Sequence, residues 1–252
     1  MTKKLFFCLA LAGLFLTNGY SQNAAGIPDL LMTVANLRND SLSGTSVFIQ
    51  NKESDYYLVA TAHIARTMDR NVLVVMQGAD QLLQFKITEF ANPVVWVYHP
   101  TMDLAVLKLN PKALFFNKYL LNRFIPLASV DSTRRPLPQD SLLTIMGFQP
   151  GSRSPGFFPP LAYTSIPTSE KIILDDPEKA LPSNVVILEK PSVSGYNGGP
   201  VFLLEETDPS QDAPAASTPL RMVGFIQGKI KDNAERSFLM MIPSVYLWDL
   251  LK

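Results

Sequence analysis

The sequence is poor in the residues that bind metals and form disulfides. It contains two His and one Cys among 252 residues. Structural zinc sites take four ligands, chiefly Cys and His, and this chain has too few of them. It also lacks a glycine-rich phosphate-binding loop of the Walker type. We therefore expect neither a metal ion nor a bound cofactor.

An excess of charge of either sign is also missing. The chain has 22 basic and 22 acidic residues and no basic block, whereas binding to nucleic-acid phosphates relies on an excess of Lys and Arg. We expect no nucleic-acid partner. Because 47% of the residues are hydrophobic and 17% are charged, the chain is too apolar to stay disordered.

Long apolar runs are absent except near the N-terminus. Two lysines precede an apolar run over residues 5–16, and the small residues Gly19 and Ser21 follow it. This order is typical of a secretory signal peptide, and the run is too short to span a bilayer. A buried N-terminal helix is the alternative. We predict a signal peptide over residues 1–21, a periplasmic or extracellular mature chain from Gln22, and no membrane span after cleavage.

Cleavage would also remove the single cysteine, because Cys8 lies within the apolar run. Many small exported domains depend on disulfides. The mature chain would have none, so its hydrophobic core alone must stabilise it. It would also have no thiol nucleophile.

The other apolar segments are short, rich in Val, Ile, Phe and Tyr, and separated by turn residues, which is typical of strands. Candidates in the first half are Ser46–Ile49, Tyr56–Ala60, Val72–Met76, Leu82–Thr88, Val94–Tyr98 and Leu104–Leu109. Candidates in the second half are Leu142–Gly147, Leu161–Ile166, Val185–Glu189, Val201–Leu204, Met222–Gln227 and Phe238–Met241. Many short strands without long helices between them favour an all-β fold of antiparallel barrels or sandwiches.

A polar stretch separates the two series of strands. We predict an N-terminal barrel over residues 22–128, a linker over 129–140 and a C-terminal barrel over 141–242. A helix over 243–252 closes the chain, since Pro243 and Ser244 are typical of a helix start. The Pro-rich segments Gln149–Pro160 and Glu205–Pro219 are predicted surface loops.

Three segments could together carry chemistry. The first ends in Thr61-Ala62-His63, the second is Asp103-Leu104-Ala105-Val106-Leu107, and the third is Gly195-Tyr196-Asn197-Gly198-Gly199-Pro200. In this order they resemble the trypsin-like (chymotrypsin-fold) serine proteases, in their disulfide-free bacterial branch. The resemblance covers nearly all of residues 44–251.

The resemblance implies two six-stranded antiparallel Greek-key barrels with a short C-terminal helix. It implies that His63 is the general base, that Asp103 orients it, and that Asn197 stands where an active enzyme has its nucleophilic Ser. The backbone N–H groups of Gly195 and Asn197 would form the oxyanion hole. The other histidine, His99, is predicted at a strand end as a surface or capping residue.

Asn197 decides the predicted function. A carboxamide nitrogen is a poor nucleophile, and loss of the nucleophile costs on the order of 10⁶-fold in rate. We therefore predict an inactive homologue that binds a peptide or protein segment in the relic cleft by strand addition. One alternative is an active endopeptidase that uses Ser192, Ser194 or Tyr196 instead. Another is a structural partner in an envelope assembly that uses the Pro-rich loops.

Overall fold

The computed structural model describes most of the predicted mature chain. The described residues are 27–40, 42–52, 54–68, 70–149, 159–174, 183–189, 195–204, 220–232 and 234–251. The predicted signal peptide, Ser192, Ser194 and the loop Glu205–Pro219 lie outside the described residues.

The first half of the chain forms one sheet of eight strands. They are β1 (Val34–Arg38), β2 (Ser43–Lys52), β3 (Asp55–Ala60), β4 (Leu73–Gln77), β5 (Leu82–Lys86), β6 (Trp96–Tyr98), β7 (Ala105–Lys108) and β8 (Ile125–Pro126). Their spatial order is β5-β4-β1-β2-β3-β7-β6, with β8 beside β2. All neighbours are antiparallel except β2 and β8.

The second half forms an antiparallel sheet of seven strands. They are β9 (Leu143–Gly147), β10 (Leu161–Ser165), β11 (Pro167–Leu174), β12 (Ser183–Leu188), β13 (Pro200–Leu204), β14 (Leu220–Lys231) and β15 (Ser237–Pro243). Their spatial order is β10-β9-β13-β14-β15-β12-β11.

The helices are short. They are α1 (Ile27–Leu31), α2 (Ala62–Thr67), α3 (Phe116–Tyr119) and α4 (Val245–Leu250), with 3₁₀ turns at Ile87–Glu89 and Leu127–Ser129. Helix α2 follows β3 directly and carries His63 at its second position. Among the described residues, no helix has the length and apolar character needed to cross a membrane.

The all-β prediction is confirmed, with two antiparallel sheets, one of them a half-barrel, and a short C-terminal helix. Each of the twelve predicted strands overlaps an observed one. The predicted count of six strands per barrel was too low, because β1, β8 and β11 were not recognised. β1 contains a central Asn36 and β11 begins with polar residues after Pro167, so neither shows strand alternation. Neighbouring strands impose their extended conformation, as β2 and β4 do on either side of β1.

A core shared by both sheets fixes their relative position. Alternation along β2 sends Phe48 into the core of the first sheet and Val47 and Ile49 into the shared core. The second sheet contributes Met146, Phe202 and Phe225 to it, and α4 contributes Leu247. Because these side chains are buried together, the two sheets are held in one arrangement.

Candidate active site

His63 and Asp103 meet at the ends of two neighbouring strands. β3 and β7 pair with Ala60 opposite Ala105, so the residues that flank this pair come together. The backbone N–H of His63 donates to Oδ1 of Asp103 at 2.8 Å. Its ring Nδ1 lies 2.6 Å from Oδ2 of the same carboxylate. Asp103 is buried, while the side chain of His63 is 37% exposed.

The contact with Asp103 determines the tautomer of His63. An ionised carboxylate only accepts hydrogen bonds, so Nδ1 carries the hydrogen. In the neutral imidazole, the lone pair therefore lies on Nε2. This is the arrangement that a general base needs, with its basic nitrogen turned away from the carboxylate.

Asn197 occupies the hydrogen-bonding position on the basic side of this ring. Its Nδ2 lies 3.2 Å from Nε2 of His63, although the two residues are 134 positions apart in sequence. Because Nε2 has the lone pair, the amide N–H of Asn197 donates and the ring accepts. The structure thus brings His63, Asp103 and Asn197 into one hydrogen-bonded row.

The loop that carries Asn197 is bound to the first sheet through Thr45 of β2. The N–H of Thr45 donates to the carbonyl of Asn197 at 2.8 Å. The hydroxyl of Thr45 donates to the carbonyl of Gly195 at 2.9 Å and accepts from the N–H of Phe148 at 3.0 Å. Thr45 is fully buried, so this one residue joins the loop to both sheets.

The same loop is bound to the second sheet by two backbone hydrogen bonds. The N–H of Gly198 donates to the carbonyl of Ile226 at 2.6 Å, and the N–H of Ile226 donates to the carbonyl of Gly199 at 2.8 Å. Ile226 belongs to β14. Hydrogen bonds to both sheets therefore fix the position of the loop that carries Asn197.

Two glycines allow this close approach. Gly198 has a φ of +88°, and a Cβ there would lie 2.1 Å from the carbonyl oxygen of Thr45. A Cβ on Gly199 would lie 2.2 Å from the carbonyl oxygen of Met146. Both distances are far inside van der Waals contact, so only glycine fits at either position.

Comparison with known proteins rests on structure alone, since no protein-family model and no curated protein matches the chain by sequence. A solved structure of Rv3671c from M. tuberculosis H37Rv, a serine-to-alanine mutant in its inactive form, matches with a TM-score of 0.56 at 16% identity, over 92% of this chain and 90% of that chain. The chain has a chymotrypsin-like serine-protease fold. A glutamic acid-specific serine protease with a histidine triad in substrate binding is also similar, at a TM-score of 0.48 and 11% identity, over 86% of this chain and 95% of that chain.

In this chymotrypsin-like fold, the loop of Asn197 also holds the predicted oxyanion-hole donors. Gly195 has a φ of +90°, which is a left-handed conformation that glycine readily adopts. Within the described part of the chain, no group accepts a hydrogen bond from the N–H of Gly195 or Asn197. That these two groups form a donor pair stays a prediction.

Tyr196 does not provide a substitute nucleophile. Its side chain is buried, its hydroxyl lies 3.5 Å from the carbonyl of Leu161, and its ring packs edge-on against Tyr163 at 5.6 Å. Burial, with Tyr163 nearby, raises the pKa of the Tyr196 phenol well above its usual range. The phenol therefore stays protonated at neutral pH and belongs to the core of the second sheet.

His99 is a capping residue, as predicted, but it is buried rather than on the surface. Its Nδ1 accepts hydrogen bonds from the backbone N–H groups of Thr101, at 3.1 Å, and Met102, at 3.0 Å. These residues lie in the loop that presents Asp103, a role that the sequence analysis did not assign.

Thr45 was also missed as a residue that shapes the site. Its sequence signal is a hydroxyl on the otherwise apolar inward face of a strand, beside Val47 and Ile49. Such a buried hydroxyl needs hydrogen-bond partners, which here are Gly195 in the loop of Asn197 and Phe148 directly after β9. For metals, the described residues contain no cluster of three or more His, Cys, Asp or Glu side chains that could hold an ion.

Proposed function

We propose that this chain is a serine-protease homologue that binds a peptide or protein segment in its cleft and does not cleave it. The observation that carries the proposal is the 3.2 Å contact between Nδ2 of Asn197 and Nε2 of His63. It fits a reading in which Asn197 takes the place of the nucleophilic serine, within a branch of the family that has no disulfides.

Two features of this contact oppose hydrolysis. The amide nitrogen has its lone pair delocalised into the carbonyl, so it cannot attack a substrate carbonyl carbon as a serine oxygen does. In addition, the hydrogen that Nε2 accepts belongs to an amide nitrogen, so its transfer to the base would not produce an attacking oxygen. Removal of a triad nucleophile lowers kcat on the order of 10⁶-fold, which leaves binding as the function of the cleft.

The long strand β14 supports binding of an extended segment. β13 pairs with β14 up to Phe225, whereas β15 pairs with it as far as Lys231. The part of β14 after Phe225 is not paired with β13. It begins beside the site, since a Cβ on Gly228 would lie 4.0 Å from Oδ1 of Asn197. A peptide that adds to such a strand gains main-chain hydrogen bonds without needing a catalytic nucleophile.

We further propose that the chain is exported through its signal peptide over residues 1–21 and works in the periplasm or outside the cell. The charged, apolar and small-residue order of these positions supports it. Intact-mass measurement of exported protein should give a chain that begins at Gln22. A mass that includes residues 1–21 would contradict the proposal.

Reaction with a fluorophosphonate probe tests the loss of the nucleophile. We expect no labelling of the natural chain and measurable labelling of Asn197→Ser, because the base and its carboxylate are already in place. In the matched control, Asn197→Ser with His63→Ala, labelling should fall to background. Labelling of the natural chain that His63→Ala abolishes would refute the proposal and favour an active endopeptidase with another hydroxyl. A folded Asn197→Ser variant that stays unlabelled would instead favour a purely structural role.

An array of unstructured decapeptides tests binding in the cleft. We expect a subset of peptides to bind the natural chain and to lose affinity at least tenfold for Gly228→Leu. That side chain would project toward Asn197. Apart from its chain neighbours, the described atoms within 4 Å of the added Cβ are Cε of Met240, at 3.7 Å, and Oδ1 of Asn197, at 4.0 Å. Gln84→Leu, at an exposed position of β5 in the other sheet, is the matched control. Equal binding by Gly228→Leu and Gln84→Leu would refute a site beside β14.

A further inference from the structure

His99 holds the loop that presents Asp103 through hydrogen bonds of both the His99 backbone and the His99 ring. The N–H of His99 donates to the carbonyl of Leu104 at 2.9 Å, and the N–H of Leu104 donates to the carbonyl of Met102 at 2.8 Å. Inside this closed loop, the ring Nδ1 of His99 accepts from the N–H groups of Thr101 and Met102. Asp103 is the next residue along the chain.

These contacts require a neutral His99 ring. A nitrogen that accepts two N–H groups at 3.1 Å and 3.0 Å uses its lone pair and cannot also carry a hydrogen. The hydrogen of the neutral ring is therefore on Nε2. Protonation of Nδ1 would place an N–H against two N–H donors, and both hydrogen bonds would be lost.

We propose that neutral His99 is a positioning residue that holds Asp103 against His63, and that protonation of His99 releases this loop. Asp103 receives two hydrogen bonds from His63, at 2.8 Å and 2.6 Å. Both depend on the direction of one carboxylate, which the backbone of Thr101 and Met102 sets. The inference goes beyond the proposed function, because it concerns the His63–Asp103 pair and applies whether or not the cleft hydrolyses peptides.

Helix α4 closes the other side of the His99 ring. Tyr246 packs edge-on against the ring at 5.5 Å between centroids, and Oδ2 of Asp249 lies 3.7 Å from Nε2. From its own loop, the hydroxyl of Thr101 lies 3.4 Å from Nδ1, and Arg134 acts electrostatically on Tyr246. Burial lowers the pKa of His99, which agrees with a ring that stays neutral. The carboxylate of Asp249 raises this pKa, but its contact with Nε2 is longer than a hydrogen bond, so it offsets the effect of burial only in part.

Proton NMR on the natural chain, purified after export, tests the proposal. The chain has two histidines, so the ring signals are assigned by comparison with a single His99 variant. The hydrogen between Nδ1 of His63 and Asp103 should give a low-field signal. We expect this signal to be lost as the pH falls through the titration of the His99 ring.

Two substitutions separate the role of His99 as a hydrogen-bond acceptor from the effect of its protonation. In His99→Asn, the amide oxygen can accept from Thr101 and Met102 and does not titrate, so the low-field signal should persist over the same pH range. In His99→Leu, which has no acceptor, the signal should be absent or exchange with water at least tenfold faster at neutral pH. His63 is present in every variant, so a loss of signal that the natural chain shows and His99→Asn does not show is due to His99.

Equal pH dependence in His99→Asn and the natural chain would overturn the proposal. A folded His99→Leu variant with the natural signal and exchange rate would also overturn it. If His99→Leu does not fold, the comparison between His99→Asn and the natural chain decides the question. None of these readouts measures hydrolysis, so failure here is distinguishable from failure of the proposed function.

Discussion

Thr45→Val tests whether one buried hydroxyl joins the Asn197 loop to both sheets. Valine has nearly the same shape as threonine but cannot replace the bonds to Gly195 and Phe148, at 2.9 Å and 3.0 Å. Each buried group left without a partner costs about 1–3 kcal/mol. Phe148 is buried and Gly195 is only half-buried, so the carbonyl of Gly195 can regain water in part. We expect a loss of about 2–4 kcal/mol in the free energy of unfolding.

Urea unfolding followed by circular dichroism measures this loss, and Thr45→Ser is the matched control. Serine keeps the hydroxyl and removes one buried methyl group, worth about 1 kcal/mol. Thermal unfolding should show a fall in Tm of about 4–16 °C for Thr45→Val. The reasoning would be refuted if Thr45→Ser were as unstable as Thr45→Val, or if Thr45→Val were within about 0.5 kcal/mol of the natural chain.

Two further predictions concern the loop glycine and the buried histidine. Gly198→Ala should lower the free energy of unfolding by about 3 kcal/mol or more, because Gly198 has a positive φ and lies against the backbone of Thr45. The control, Gly228→Ala, should change it by less than about 1 kcal/mol. Equal effects of the two substitutions in urea unfolding would contradict the close approach of the loop to Thr45. The pKa of His99 is lowered from 6.5 in the folded chain, so the unfolded chain binds a proton first and stability should fall as the pH drops below 6.5. His99→Asn should flatten this pH dependence of Tm, and an unchanged slope would contradict it.

Local sequence was enough to locate most strands. The predicted segments Tyr56–Ala60 and Leu142–Gly147 are rich in aromatic, aliphatic and β-branched residues, and a strand of the structure covers nearly all of each. Apolar side chains that must leave water set this pattern, so it can be read without knowing the partner strands. β1 and β11 lack the pattern, and pairing with their neighbours makes them strands.

Long-range contacts decided the details of the candidate site. The Thr45 hydroxyl bonds to Gly195, 150 positions away, and to Phe148, 103 positions away. No local pattern encodes such a contact, since each partner has an ordinary local sequence. His99 is similar, because its burial depends on the docking of α4, which lies far away in the chain.

The sequence by itself determined that residue 197 is Asn, and with it that a serine hydroxyl is missing between Gly195 and Gly199. It also determined the chain order of His63, Asp103 and Asn197, because the type and order of residues are properties of the covalent chain. Only the tertiary structure decided that the Asn197 amide donates to the ring of His63 at 3.2 Å. That distance depends on a core shared by two sheets and on the backbone hydrogen bonds of one loop, and these exist only once the two halves of the chain have packed together.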